Sequence, residues 1–239
     1  CTGGGRTVEE NRYMRHRPLL SNSAWQRLCE TPMLVAGVGG LGSHVLESLS
    51  RLGPLTLELW DPGELNTPDL NRQILYAEAD LGRPKVEAAA ERLSAINREL
   101  TLRPMHGALS AARFDAESSL AGGPFVLFDC LDSFAARGEL EKIRQARKCP
   151  VFHGGVDGWF GQATTFLGSG AGYEGAFGPE FASIPAGPKP ILPQTVAATA
   201  GFQVSEYLHW CENPEKTPLS SAMLMYDGES MRVDRVELS

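Results

Sequence analysis

The sequence predicts an α/β protein: a Rossmann-like, mostly parallel sheet with helices on both faces, followed by a C-terminal antiparallel hairpin. Short apolar runs alternate with segments of helical spacing along most of the chain, the pattern of strand–helix–strand units. A glycine-rich turn follows the first apolar run directly, the kind of junction that joins strand to helix in such sheets. Two alternating segments flank Asp227-Gly228 and read as a closing hairpin.

Each element follows in order. Residues 1–22 carry no clear period and read as an N-terminal arm, with residues 23–239 as one folded unit. Ala24 to Glu30 makes a short helix. Met33-Leu34-Val35-Ala36 is a buried parallel strand, ending at Gly37. From Gly42 to Leu52, apolar residues at Val45, Leu46, Leu49 and Leu52 give helical spacing, stopped by Gly53-Pro54. Leu55 to Trp60 is the second strand, closed by the turn residues Asp61-Pro62-Gly63. Pro84 opens a helix over Val86 to Ile96, and Leu100 to Met105 is a third strand. Phe125 to Phe128 is a fourth strand, followed by a helix from Ser133, its cap, to Arg147. Val151 to His153 and Gln162 to Leu167 are further strands. Residues 168–193 hold six glycines and five prolines and read as a long irregular loop of the functional kind. A helix over Gln194 to Cys211 precedes the hairpin of Ser221 to Tyr226 and Met231 to Leu238. No internal repeat occurs.

The 239 residues suffice for one such domain with a sizeable core. A net charge of -7 argues against a nucleic-acid partner, which leaves a basic footprint. It does not exclude an anionic small ligand, because local cations decide that. The five cysteines, Cys1, Cys29, Cys130, Cys149 and Cys211, are odd in number and form no C-x-x-C pair, which argues against a four-cysteine zinc site and a disulfide framework. Cys130 and Cys149 read as small core residues and Cys29 as a helix residue. Reduced thiols point to the cytoplasm. No apolar run approaches the ~20 residues of a membrane helix. The opening residues lack the features of a signal peptide, and a first residue other than Met reads as a trimmed or processed end.

Gly37-Val38-Gly39-Gly40-Leu41-Gly42 matches G-x-G-x-x-G between a strand and a helix, where backbone amides and the helix dipole favour a phosphate. A ligandless glycine turn is the bland alternative. Asp61, at the end of the second strand, suits ribose hydroxyls, or simply makes the turn before Pro62. Leu70-Asn71-Arg72-Gln73 and Arg83-Pro84-Lys85 add cations that a nicotinamide dehydrogenase does not need. An enzyme that splits ATP between its α- and β-phosphates does need them, to neutralise departing pyrophosphate. Arg72 as a surface ion pair and Lys85 as a solvated first-turn residue are the alternatives, although a cation in the first turn of a helix is disfavoured by the dipole. Asp129-Cys130-Leu131-Asp132-Ser133 ends the fourth strand at the same sheet edge. Asp132 is the candidate Mg²⁺ ligand, or a cap for the helix at Ser133; Asp129 instead orients a lysine or arginine.

Together with Arg12-Tyr13-x-Arg15, these segments resemble the E1-like adenylyltransferases, the superfamily of the ThiF, MoeB and HesA proteins and the adenylation domains of ubiquitin-activating enzymes. The resemblance runs from Arg12 to about Tyr207, with the pieces in the family's order and spacing. It implies a homodimeric ATP-binding adenylation domain over residues 23–239. ATP and Mg²⁺ would bind at Gly37, Gly39, Gly40 and Gly42, and a ubiquitin-like sulfur carrier would present a Gly-Gly tail to be adenylated. By position, Asp61 holds the ribose; Asn71, Arg72, Gln73 and Lys85 take the phosphates; and Asp132 takes Mg²⁺. Arg15 reaches the neighbouring subunit's nucleotide. Residues 168–193 become a substrate or crossover loop.

The chain also departs from the family. Many relatives bind structural zinc through two C-x-x-C pairs; here Gly172-Tyr173-Glu174-Gly175 replaces the first pair and Cys211 alone remains near the second, so no zinc is expected. Residues 168–193 contain no cysteine for a thioester step. Ser133 stands where relatives often have Asn. Thr2-Gly3-Gly4-Gly5 is either the end of an upstream ubiquitin-like module or a plain flexible arm. Adenylation of a peptide or other carboxylate is the alternative substrate class. An NAD-dependent oxidoreductase, supported by the glycine turn and Asp61 alone, and a non-catalytic scaffold are the alternative functions.

Overall fold

The structure is a computed structural model that describes residues 11–168, 170–185, 187 and 190–238. The glycines at 3–5, and with them the question of a fused module, lie outside the described residues. In chain order the elements are α1 (Asn22–Glu30), β1 (Met33–Ala36), α2 (Gly40–Ser50), β2 (Thr56–Asp61), α3 (Lys85–Ile96), β3 (Thr101–His106), α4 (Ala111–Glu117), β4 (Val126–Asp129), α5 (Phe134–Arg147), β5 (Val151–Asp157), β6 (Phe160–Phe166), α6 (Gly172–Phe177), α7 (Pro193–Glu212), β7 (Ala222–Asp227) and β8 (Arg232–Glu237).

The eight strands form one sheet in the order β3-β2-β1-β4-β5-β6-β7-β8. The first five are parallel, and β5-β6-β7-β8 run antiparallel as meanders. β1 and β4 occupy the middle of the parallel half and are buried on both faces, which is why they read as unbroken apolar runs. β3 is the outer strand and carries Pro104, whose missing N–H is tolerated at an edge. β8 forms the other margin, with every residue exposed.

Two apolar clusters cover the two faces. One gathers Val35, Leu57 and Phe128 of the sheet with Leu46 and Leu49 of α2, Leu93 of α3, and Val204 and Tyr207 of α7. The other gathers Leu34 and Leu127 with Phe114 of α4, Leu140 and Ile143 of α5, and Tyr173 of α6. Each such side chain, fully buried, contributes roughly 1.5–3 kcal/mol, so both helical layers are held firmly to the sheet.

The expected elements all form, with shifted ends. β5 extends to Asp157 rather than stopping at His153, because β6 pairs along its whole length. The reading of residues 168–193 as irregular needs correction: it contains α6 and a 3₁₀ turn over Phe181–Ser183, seated by Tyr173 and Phe181 in the second core. α4 was not foreseen; it buries only Phe114 and so leaves no period in the sequence.

Residues 11–20 lie against the C-terminal ends of α2 and α3. Arg12 donates to the Ile96 carbonyl at 2.9 Å, and the Tyr13 hydroxyl donates to Glu99. The Asn97 side-chain amide donates to the Ser50 carbonyl at 2.9 Å and lies 3.1 Å from the Tyr13 hydroxyl. His16 meets the Leu52 carbonyl at 2.9 Å.

Candidate active site

The parallel strands end along one edge, where the glycine turn, Asp61, Arg72, Gln73 and Lys85 gather and Arg15 does not. The Gly37 amide donates to the Trp60 carbonyl at 2.8 Å, tying the glycine turn to the end of β2. Gly37 has φ +88°, and a Cβ there would lie 2.6 Å from the Cys130 carbonyl oxygen. At Gly42 a Cβ would lie 2.0 Å from the Gly37 carbonyl oxygen. The turn therefore packs against the loop after β4 in a way no side chain permits. Gly39 and Gly40 open α2 instead and face Gln73 and Arg72, with 3.6 Å and 3.4 Å from their Cβ positions to the nearest side-chain atoms.

Asp61 is a buried carboxylate that braces this turn. One oxygen accepts the Val38 N–H at 2.7 Å and the other the Gly63 N–H at 2.7 Å. A carboxylate accepts about four hydrogen bonds, so both oxygens keep capacity for a ligand.

The segment from Asn66 to Tyr76 wraps the start of α2. The Ile74 N–H donates to the Ser43 hydroxyl at 3.2 Å, and the Tyr76 hydroxyl to the Val38 carbonyl at 2.7 Å. Burial, with Asp61, Asp69 and Asp80 nearby, raises the Tyr76 pKa and keeps the hydroxyl a donor. This folding brings Arg72, Gln73 and Lys85 onto a single residue, Asp69. Lys85 Nζ is 3.2 Å from Asp69 Oδ2, Gln73 Nε2 donates to Oδ1 at 2.6 Å, and the Arg72 guanidinium lies 4.0 Å from Oδ1. Arg72 also donates to the Asn71 side-chain oxygen at 2.8 Å and to the Pro68 carbonyl at 3.1 Å. Lys85 begins α3, and its methylenes pass Gly63, with Cε 3.4 Å from the Cβ position there.

Asp129 and Asp132 part company. Asp129 is wholly buried: its Oδ2 accepts from Arg137 Nε at 2.9 Å, His153 Nδ1 at 2.6 Å and the Tyr173 hydroxyl at 2.6 Å, and its Oδ1 from the Leu131 N–H at 3.0 Å. Burial alone would raise its pKa; Arg137, His153 and Tyr173 outweigh that and hold the carboxyl well below the usual range. Burial lowers the pKa of His153, and the Gln162 amide 3.3 Å from its Nε2 suits an imidazole that is neutral with the proton on Nδ1. Arg137 also donates to the Leu131 carbonyl at 2.6 Å, so this network fixes the loop that carries Asp132. Asp132 itself is exposed and forms no hydrogen bond among the described residues. Its loop passes under Gly37, yet the structure shows no contact from Asp132 to Arg72 or Lys85.

Arg15 is exposed and lies with the segment at the far ends of α2 and α3. From there to Gly40 is the length of α2, ~16 Å for its eleven residues. It is not joined to the group around Asp69.

Cys130, Cys149 and Cys211 are buried thiols. Burial raises the thiol pKa of Cys130, and pushes those of Cys149 and Cys211 up to about 12. Sequence reasoning missed Asp69, Tyr76, Arg137, His153 and Tyr173. A signal existed for Asp69: Thr67-Pro68-Asp69 opens a 3₁₀ turn over Thr67–Asn71, and the Asn66 N–H donates to Asp69 at 3.1 Å.

These residues fit ATP. The glycine turn excludes side chains, paired cations stand beside it, and Gln73 keeps a buried Oε1 with no partner among the described residues. For Mg²⁺, which takes one or two carboxylates plus phosphates and water, the loop after β4 offers one exposed carboxylate, Asp132. Among the described residues no group of three or more His, Cys, Asp or Glu is placed to hold a metal. No helix among them is long and apolar enough to cross a membrane.

Comparison with known proteins gives concordant results. A family model described as the ThiF family matches residues 11–239. The chain is 28% identical over 236 residues to a SAMP-activating enzyme E1 of Haloferax volcanii, covering 95% of this chain and 84% of that one. It is 33% identical over 141 residues to a molybdopterin-synthase adenylyltransferase of Salmonella typhimurium, covering 59% of this chain and only 55% of that one. Among solved structures, E. coli MccB with ATP superposes with a TM-score of 0.79 at 17% identity, covering 96% of this chain and 72% of that one, a likeness of fold.

Proposed function

As the chain belongs to the ThiF family, within the E1-like superfamily, we propose that it transfers AMP from ATP to the C-terminal carboxylate of a small ubiquitin-like sulfur carrier and releases pyrophosphate. The observation that carries this is the convergence of Arg72, Gln73 and Lys85 on one carboxylate beside Gly39 and Gly40. Donors gathered there suit a polyphosphate better than a nicotinamide dinucleotide, whose bridge has only two phosphates.

The chemistry needs no general base, because a terminal carboxylate, of pKa ~3.5, is ionised at neutral pH. The site's task is to align that carboxylate with the α-phosphorus and to neutralise the departing pyrophosphate. Lys85 and Arg72 supply the positive charge, and Gln73 and Asn71 supply amide hydrogen bonds. Asp61 retains acceptor capacity for the ribose. Asp132 would hold Mg²⁺, which adds charge neutralisation on the phosphates when bound. The Asp129–Arg137 pair keeps the loop of Asp132 in place.

Arg15 serves this reaction in a homodimer. Its segment is fastened by Arg12, Tyr13 and His16 at the opposite ends of α2 and α3 from its own glycine turn. An exposed guanidinium held there is available to a second copy.

The test is to mix the full chain with ATP, Mg²⁺ and candidate carriers ending in Gly-Gly, and to follow the carrier by intact mass. A carrier that gains the mass of AMP, together with carrier-dependent exchange of pyrophosphate into ATP, is the expected result. Exchange supported by no carrier removes this substrate class. Peptides form a second arm, favoured by the absence of cysteine at both 172 and 175, where zinc-binding relatives have their first pair.

A further inference from the structure

Asp69 stands at the centre of the phosphate-binding group, and the reaction proposed above gives it no role. Its two oxygens hold Lys85 at 3.2 Å, Gln73 at 2.6 Å and Arg72 at 4.0 Å. Oδ2 also accepts the Asn66 N–H at 3.1 Å, which fastens the side chain to its own turn. The side chains of Asp69 and Lys85 are each only 14% exposed, so solvent screens their pairing weakly. A polyphosphate entering beside Gly39 and Gly40 needs these same donors. It also brings several negative charges close to a carboxylate that the Asn66 bond keeps from withdrawing far.

We propose that Asp69 is an internal counter-anion of the phosphate site, one that gathers Arg72, Gln73 and Lys85 when no phosphate is present and competes with any phosphate that arrives. This rests on reading the site as a polyphosphate site. Asp69 then acts as a positioning residue with two effects. It keeps three donors assembled at one point, so they need little rearrangement to engage a ligand. It also weakens the binding of ATP and of pyrophosphate alike, so the product leaves as Asp69 reclaims Lys85 and Arg72. No covalent step is involved; one anion replaces another on the same cations.

The experiment is calorimetric titration of inorganic pyrophosphate, and separately of ATP, each with Mg²⁺, into the full wild-type chain and into Asp69→Asn. Asn is nearly isosteric and keeps an acceptor for the Asn66 N–H but carries no charge. The expected result is binding about tenfold tighter in the variant for both ligands, equal to ~1.4 kcal/mol, with adenosine affinity unchanged. Equal or weaker pyrophosphate binding in Asp69→Asn overturns the proposal. If the wild type binds neither ATP nor pyrophosphate, the reading of the site itself fails, and this inference falls with it. A measurement without mutation covers a variant that fails to fold. A water-soluble carbodiimide should couple Asp69 to Lys85 in the ligand-free wild type, and Mg²⁺-pyrophosphate should suppress the coupling. Coupling that persists at saturating pyrophosphate overturns the proposal.

Discussion

Asp129 concentrates more hydrogen bonds than any of the carboxylates proposed to meet a ligand. Four donors satisfy it, one of them the guanidinium of Arg137, which is itself buried. Removing its charge leaves Arg137 unpaired in the interior, so Asp129→Asn should cost about 3–5 kcal/mol in urea denaturation at pH 7. The sign of the pH dependence follows from two groups. The folded pKa of Asp129 is depressed, so its contribution is complete above the unfolded value of ~3.9 and is lost as pH falls below it. The folded pKa of His153 is also depressed, so acid favours the unfolded chain from ~6.5 downward. Stability should therefore decline from pH 7 to 5 and fall faster below 4, and Asp129→Asn should flatten the second limb. A wild-type stability that stays level from pH 7 to 3 would contradict this account. The sequence placed Asp129 at the correct sheet edge and paired it with an unspecified cation. Arg137 could not be singled out, because a residue on a helix discloses its depth only when the helix has a face to dock on.

At the scale of elements, α6 carries Gly172 and Gly175 at the positions where the resemblance alone implies a thiolate pair, and its fastening is of another kind. Tyr173 inserts between Phe166 and Phe181, with ring centroids at 4.6 Å and 5.5 Å, and ends on Asp129. Tyr173→Phe keeps the ring and loses the hydroxyl. A hydrogen bond to a charged group contributes ~1.5–3 kcal/mol, and the variant should lose that much, read from the unfolding midpoint, with faster proteolysis within 168–185. Unchanged stability would show that the rings alone hold the segment. Six glycines hid this helix from sequence reasoning, although Tyr173, Phe177 and Phe181 recur every four residues, a period that could have revealed it. The parallel half was legible for the opposite reason. Strands buried on both faces leave nothing but apolar residues, and the turns between them need glycine and proline.

For the whole molecule, the separation of Arg15 from its own glycine turn makes a prediction about pairs of chains. Arg15→Ala and Lys85→Ala should each be nearly inactive alone. In the proposed homodimer, equal amounts allowed to exchange make half the dimers hybrid, and each hybrid has one site with both groups intact. Activity in the adenylation assay should then recover to about a quarter of wild type. A mixture no more active than its components would show that Arg15 does not act on the neighbouring subunit's site. The order of the strands is read from the structure alone, whereas the mostly parallel sheet and the closing hairpin followed from the sequence. The position of the arm did not, because its anchors, Ile96, Asn97 and Glu99, lie more than eighty residues downstream and follow no pattern.

The two margins of the sheet have a consequence for crowded solutions. A foreign backbone approaching β3 finds no amide hydrogen at Pro104, so a continuous ladder cannot propagate there. One approaching β8 meets Arg232, Asp234, Arg235 and Glu237, already neutralised in pairs along the strand, and must strip water from all four before docking. Each margin thereby carries a feature that hinders edge-to-edge pairing, although Val233 and Val236 of β8 stay exposed and the sheet never curls into a closed barrel.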